Sequence, residues 1–301
     1  MDQIKLQNKF FTAVQITPTA TRIAGMGGEL CYLVEGTERA LLIDGLTGVG
    51  SLKAFVRELT ELPVIMAATH GHIDHTGAGW EFGELFINPD DIALMYQDKH
   101  CKEEKRLNFV KFAGGPNVVH RTEPVLCDVP IPHALKTYPV YEGNVFDLGG
   151  TKLEVIQVPG HTYGTIVLLN REERVVFSGD ACNVNTLLCL EGSTTVEEYL
   201  ESLRHFATFT DSFDGMYGGH GEFEVPASAI YDAIAMCERI LEGTDEKIEV
   251  QSIDGSPSLL GSARKEDFMP LCGGWANIMY SKDMIQKRNS PVIKGRPNLY
   301  K

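Results

Sequence analysis

The densest chemistry in the chain sits in seven consecutive residues, Thr69-His70-Gly71-His72-Ile73-Asp74-His75. Imidazole nitrogen and carboxylate oxygen both suit a borderline cation such as Zn²⁺, and this segment offers His70, His72, Asp74 and His75 as donors together. In extended backbone His70 and His72 project to the same side, because side chains alternate along a strand. Gly71 between them then lets the main chain pass close to an ion. A turn beginning at Asp74 sends Asp74 and His75 toward a second position, so the spacing suggests two adjacent ions. A core or surface accident does not account for so many donors in one stretch.

One segment cannot close two sites. Catalytic zinc sites take three protein ligands and keep a position open for water. Pro159-Gly160-His161-Thr162 ends a strand and can complete the set begun by His70 and His72. Gly218-Gly219-His220-Gly221 follows the strand expected over 213–217 and can complete the set begun by Asp74 and His75. Asp180, in Phe177-Ser178-Gly179-Asp180, can lend one oxygen to each ion and hold the pair together.

The elements that must position these residues read as short strands, then strands alternating with helices. Apolar runs at 30–34 and 40–43, separated by Glu-Gly-Thr-Glu, predict a hairpin. Ser51 ahead of Leu52, Phe55, Val56 and Leu59 predicts a capped amphipathic helix. A buried strand is expected over 64–68, running straight into the histidine motif, and another over 84–87. Asn88-Pro89 opens a helix. Residues 91–144 are irregular, with a Gly-Gly-Pro break at 114–116, and read as an insertion. It lies over the site, makes a dimer contact, or is a plain surface excursion; the sequence leaves all three open. Strands return at 152–155, 165–169 and 174–177. Thr194 and Glu197 have capping-box spacing ahead of Val196, Tyr199, Leu200, Leu203 and Phe206. Pro226 is read as the start of a last helix through Ile230, Ile234, Cys237 and Leu241, stopped near Gly243. A weak internal echo links Asp44 with Asp180, each just past a strand.

The 301 residues, 43% hydrophobic and 23% charged, suffice for one large domain with an insertion. The formal net charge of −14 repels phosphate backbones, which argues against nucleic-acid partners. No apolar run reaches membrane-spanning length, and no secretory signal is visible. The seven cysteines are scattered without a Cys-x-x-Cys pair. Reduced thiols and a cytoplasmic location are the expectation.

Taken in chain order, these motifs resemble the metallo-β-lactamase superfamily, and within it the glyoxalase II-like hydrolases. The resemblance spans most of 40–221 and rests on His70-x-His72-x-Asp74-His75. It implies that His70, His72 and His161 hold one metal, that Asp74, His75 and His220 hold the other, and that Asp180 bridges them. Asp44 matches an early Asp of the family that orients the site. The fold implied is α/β, a four-layer αββα sandwich with the metals along one edge. We expect a catalytic domain over 1–243, with the insertion at about 91–144, and a C-terminal extension over 244–301 packed on it. The activity implied is hydrolysis of an ester-type bond in a small molecule by a hydroxide bridging two divalent ions, zinc first, with iron or manganese as alternatives. Asp74 would orient the nucleophile or take a proton, in addition to ligating.

The other branches fit less well. Secreted zinc β-lactamases typically lack the bridging Asp, flavo-diiron reductases usually carry Glu where His72 stands, and the RNA nucleases usually carry basic surfaces. Two alternatives stay open: a persulfide dioxygenase-like oxidoreductase with a single iron, and a non-catalytic metal-binding protein of the same fold. A thioester, a lactone and a phosphodiester are all open as substrates, and a homodimer is an expectation only. Tyr163 and Tyr217 flank the ligand motifs and could donate to a substrate oxygen, though packing accounts for each. Cys182 reads as a small buried thiol. His100, His120, His133 and His205 have no ligand-like spacing.

Overall fold

Short apolar runs broken by turn residues pair into two sheets whose inner faces share one core. The computed structural model describes residues 4–97, 102–113, 123–221, 224–265 and 269–289. The first sheet has eight strands in chain order. Strands β1 (Ile4–Gln7), β2 (Thr12–Gln15), β3 (Ala20–Ala24), β4 (Leu30–Glu35) and β5 (Ala40–Ile43) pair antiparallel; β6 (Val64–Ala67), β7 (Glu84–Ile87) and β8 (Lys136–Pro139) add in parallel. Helix α1 (Leu52–Leu59) makes the crossover from β5 to β6, and the Ser51 side chain accepts from Ala54 N as its spacing predicts. The short helices α2 (Ile73–Thr76), α3 (Gly79–Phe82) and α4 (Ile92–Met95) and the longer α5 (Glu103–Ala113) lie between β6 and β8.

The second sheet begins with β9 (Val145–Asp147), β10 (Lys152–Gln157), β11 (Ile166–Asn170) and β12 (Val175–Gly179). The chain then leaves it for β13 (Thr186–Leu188) and α6 (Val196–Ala207), and returns with β14 (Gly215–Gly218) and β15 (Glu224–Pro226). The strand order is β15-β14-β12-β11-β10-β9. Tyr32, Leu41 and Ile43 of the first sheet meet Leu153, Leu168 and Phe177 of the second in the inter-sheet core. Leu33 and Leu42 turn the other way onto Phe55 and Val56 of α1. Val167, Leu169 and Val176 pack on α6 and on α7 (Ala229–Glu242). Period-two alternation therefore feeds both faces of each sheet, and the layers run helix, sheet, sheet, helix as expected.

Several local expectations shift. The capping box is Thr195 with Glu198, one residue later than the Thr194–Glu197 pairing. Thr194 is still in the loop, its N–H donating to Gly160 O. Pro226 starts no helix: Val225 pairs with Met216 and keeps the segment extended until α7 opens at Ala229. Gly243 does end α7, at φ 73°. The irregular stretch 91–144 is not one insertion, because β8 inside it pairs with β7 and belongs to the first sheet. Nor is α5 a plain excursion. Its Leu107 and Val110 pack with Met26, Val49 and Val129. The fully buried Arg106 donates through Nη1 to Gly48 O and Gly77 O and through Nη2 to Pro130 O. That ties α5 to the loop ending the histidine motif. The Gly-Gly-Pro break, His100, His120 and the tail 295–301 lie outside the described residues.

After α7, strands β16 (Ile248–Gln251), β17 (Pro257–Leu260) and β18 (Ile278–Tyr280) form a third sheet that takes β13 as its edge, in the order β13-β18-β17-β16. Among the described residues no helix is long and apolar enough to cross a membrane.

Candidate metal centre

All seven predicted donors converge at one edge of the two packed sheets. His70 and His72 follow β6, and α2 carries Asp74 and His75. His161 follows β10, Asp180 follows β12 and His220 follows β14. Strands β12 and β14 run parallel with Gly179 opposite Gly218, so both deliver their donors at the same end.

His70, His72 and His161 form one compact set. His72 Nδ1 lies 3.1 Å from His70 Nε2 and 2.9 Å from His161 Nε2. Asp74, His75 and His220 form the other, with Asp74 Oδ2 3.2 Å from His220 Nε2 and 3.9 Å from His75 Nε2. Asp180 Oδ2 stands between them, 3.5 Å from His161 Nε2, 3.5 Å from His220 Nε2 and 3.7 Å from His75 Nε2. Oδ2 is thus within reach of both sets. Oδ1 accepts from Asn183 Nδ2 at 2.9 Å, which fixes the carboxylate's orientation.

The outward ring nitrogens fix which nitrogen of each imidazole is left as a donor. His75 Nδ1 donates to Asp44 Oδ2 at 2.8 Å, and His161 Nδ1 to the Leu187 carbonyl at 2.8 Å. Thr69 Oγ1 donates to Asp44 Oδ2 and so must accept from His70 Nδ1 at 3.1 Å. His72 Nε2 faces the Glu191 carbonyl at 3.4 Å. In the neutral ring each of these bonds puts a lone pair, not a proton, on the nitrogen facing the cluster. Lone pairs aimed at one another at about 3 Å repel unless a cation sits among them. The buried His75 Nε2 makes no hydrogen bond among the described residues. The donor set therefore fits divalent cations.

Electrostatics sort the two sets. Burial, with the rings of His75, His161 and His72, holds His70 well below the usual imidazole range. Burial also lowers His161, against the pull of Asp180. In His75 burial is outweighed by Asp44, Asp74 and Asp180, which push it well up. His220 is pushed up to about 9, burial again being overcome by Asp180 and Asp74. Despite burial, His75 and His220 hold Asp74 down, and His220 and His75 hold Asp180 down. Burial thus disfavours charge on His70 and His161, whereas the second set is a cluster of charges.

Asp44 hydrogen-bonds both His75 and Thr69. It is 1% exposed and has the left-handed φ of 68°, which aims its carboxylate at His75 and Thr69. Tyr217 is a correction: its ring packs with Tyr32 and Phe177 between the sheets, and its hydroxyl reaches Glu224. Tyr163 is half-buried beside His161, held by its N–H to Gly192 O. Cys182 is 1% exposed, and burial pushes its thiol up to about 12, as befits a packing residue. His133 is exposed, and His205 pairs with Glu142 at the surface.

Three polar residues around the site escape the sequence reading. Asn183 orients Asp180. Glu29 is buried at 2% exposure, bridged to His220 through the backbone, and accepts from Thr47 Oγ1 at 2.9 Å. Asp91 is buried at 1% exposure, and burial pushes its carboxyl up to about 6. Asp91 alone left a sequence signal, an acidic residue in the helical turn opened by Asn88-Pro89.

Comparison with known proteins agrees with this geometry. The sequence model of the Metallo-beta-lactamase superfamily matches residues 24–220. Acyl-coenzyme A thioesterase MBLAC2 of Homo sapiens is 23% identical over 245 residues, covering 77% of this chain and 74% of its own. The Gallus gallus protein of that name is 28% identical over 190 residues, covering 60% and 67%. Hydroxyacylglutathione hydrolase GloC of Haemophilus influenzae is 28% identical over 154 residues, covering 50% and 65%. Among solved structures, the sec-alkylsulfatase Pisa1 from Pseudomonas sp. superposes with a TM-score of 0.57 at 13% identity, over 77% of this chain and 42% of that one. VMB-1 superposes at 0.53 and 14% identity, over 76% and 97%. At such identities the structures speak for the fold alone. With the family match spanning all seven donors, the chain belongs to the metallo-beta-lactamase superfamily and is a metal-dependent hydrolase.

Proposed function

We propose that this chain hydrolyses thioesters of small acyl groups and does so with two divalent cations, zinc first among them. The observation that carries the two-ion reading is Asp180 Oδ2, within 3.7 Å of donors from both sets. The thioester reading draws on the relatives whose names state thioesterase and hydroxyacylglutathione hydrolase activity. His70, His72 and His161 would hold one ion, Asp74, His75 and His220 the other, with Asp180 shared. Bound there, such ions supply Lewis-acid polarisation of the acyl carbonyl and lower the pKa of water.

The chain's own groups do the rest. Asp44, Thr69 and the Leu187 and Glu191 carbonyls keep the imidazoles in donor tautomers. Asp74, held ionised by His75 and His220, orients water for attack on the acyl carbon. The C–S bond then breaks, giving carboxylic acid and thiol. A thiol has a pKa near 8.5, so the sulfur leaves near neutrality without a strong acid beside it. His70 and His75 close the inner side, whereas His72 is half-buried and 42% of the His220 side chain is exposed. Substrate therefore enters on the His72–His220 side, where Tyr163 stands as a candidate contact.

The test is a panel of acyl-CoA, acyl-glutathione, lactone and phosphodiester substrates against zinc, manganese and iron forms, with elemental analysis of each. Thiol release from a thioester and close to two ions per chain are expected. Cleavage confined to lactones or phosphodiesters would overturn the substrate reading, and one ion or none after metal-replete expression would overturn the two-ion reading.

A further inference from the structure

Asp91 lies outside the seven donors, in the helical turn Pro89–Asp91 that follows β7. Among the described residues its carboxylate bonds no donor atom of the cluster, yet it binds both chain segments that deliver the first set. Oδ2 accepts from Gly71 N at 2.7 Å and from Thr162 Oγ1 at 2.5 Å, and Oδ1 accepts from Gly164 N at 2.8 Å. Gly71 sits between His70 and His72, and Thr162 follows His161. The first segment leaves β6 in one sheet and the second leaves β10 in the other, so one buried carboxylate spans the two layers at the site's edge. We propose that Asp91 is a positioning residue that fixes His70 and His72 against His161 and thereby sets the affinity for the first cation. The inference rests on the two-set reading above.

The network has a single direction. An ionised carboxylate only accepts, so Thr162 must donate to Asp91, and its oxygen then accepts from Thr165 Oγ1 at 2.8 Å. The approach is also close. A Cβ on residue 71 would lie 2.7 Å from Asp91 O and 3.0 Å from Asp91 Cβ. One on residue 164 would lie 2.6 Å from Asp91 Cγ. Glycine at both positions is what the carboxylate requires. This replaces the expectation that Gly71 makes room for an ion, since its bare face meets Asp91 and Leu94. Outer partners of this kind typically govern metal affinity by about 10- to 100-fold.

The experiment separates the sets by breaking one at a time in the full chain. His220→Ala leaves the first set, and His161→Ala leaves the second. Zinc affinity of each parent is measured by competition with a chromophoric chelator, then again with Asp91→Asn added. Asn is isosteric but turns an N–H toward a backbone N–H, so at least one of the three bonds is lost. The expected result is about 10- to 100-fold weaker zinc binding in the His220→Ala background and no change in the His161→Ala background. Should Asp91→Asn fail to fold, Thr162→Val and Thr162→Ser replace it. Val deletes the hydroxyl and weakens the first set, while Ser keeps the hydroxyl and restores it. Equal losses in both backgrounds, or no loss in the first, overturn the proposal while leaving two sets in place. A His220→Ala parent that binds no zinc with Asp91 intact sinks the two-set reading, and this inference with it.

Discussion

Lowering the pH from about 8.5 to about 6.5 should strip the second cation and leave the first, because the metal-free donors carry different protons. His220 titrates at about 9 in the metal-free chain, so its unprotonated fraction falls to about a tenth at pH 8 and about a hundredth at pH 7. An ion entering the second set must displace that proton, which weakens its affinity about tenfold for each unit of falling pH. His75, pushed well above the ordinary imidazole value, adds a second proton. The slope for the second ion therefore lies between about one and two decades per pH unit. With 42% of its side chain exposed, His220 is the more screened of the two, and the wholly buried His75 sets the upper bound. Asp74 and Asp180 are already ionised and release nothing. In the first set His70 and His161 are lowered by burial and stay neutral across the range, so the first ion binds with no pH slope from either.

The assay is zinc competition at a series of pH values, corrected for the chelator's own protonation. Calorimetry in two buffers of different ionisation heat counts the protons released with each ion. Equal slopes for both ions, or protons released with the first, would refute the reasoning. Either result would mean that the first set carries protons in the metal-free chain, against the burial that lowers His70 and His161.

Asp180→Ala should cut hydrolysis to ~1% or less with the far-ultraviolet spectrum unchanged, since it removes a carboxylate that faces both sets; full activity would end the bridged-pair reading. Thr195→Ala removes the reciprocal cap of α6 and should cost about 1 kcal/mol by denaturant unfolding without altering kcat/KM. Tyr217→Phe should leave kcat/KM within about twofold, because the hydroxyl reaches Glu224 rather than the donor cluster.

The site was legible in the sequence because metal chemistry demands particular residue types, and strand ends concentrate them. His70-Gly71-His72-Ile73-Asp74-His75 could be read alone, and His161, Asp180 and His220 followed from ligand counting. What stayed hidden was set by contacts distant in sequence. Asp91 looks like a helix-start acid until Gly71 and Gly164 are seen against it. Asn183 looks like a turn residue until it takes Asp180 Oδ1. Among the elements, α1, β4 and β5 announced themselves through apolar periodicity and a cap. Strands β1 to β3 did not: Ile4–Gln7 and Thr12–Gln15 are short and polar, and their extension comes from pairing with neighbours. The third sheet was missed because its strands run only three or four residues, too short to show a period, and its edge strand β13 lies far from the others in sequence.

That third sheet bears on the site more directly than its position in the chain implies. His161 takes its tautomer from the Leu187 carbonyl, and Leu187 lies in β13. Among the described residues β13 pairs with β18 alone, through Thr186–Ile278, Leu187–Met279 and Leu188–Tyr280. The next turn brings the Glu191 carbonyl to His72, and Ser193 Oγ donates to His161 O. Two imidazoles of the first set are thus oriented by a segment whose sheet partners come from residues 248–280. The boundary expected at 243/244 separates stretches of sequence but not of structure, because the third sheet takes its edge strand from between β12 and β14. A metal site needs its outer hydrogen bonds held as firmly as its donors. Here that rigidity comes from a sheet closed by chain lying beyond the family match, which ends at residue 220.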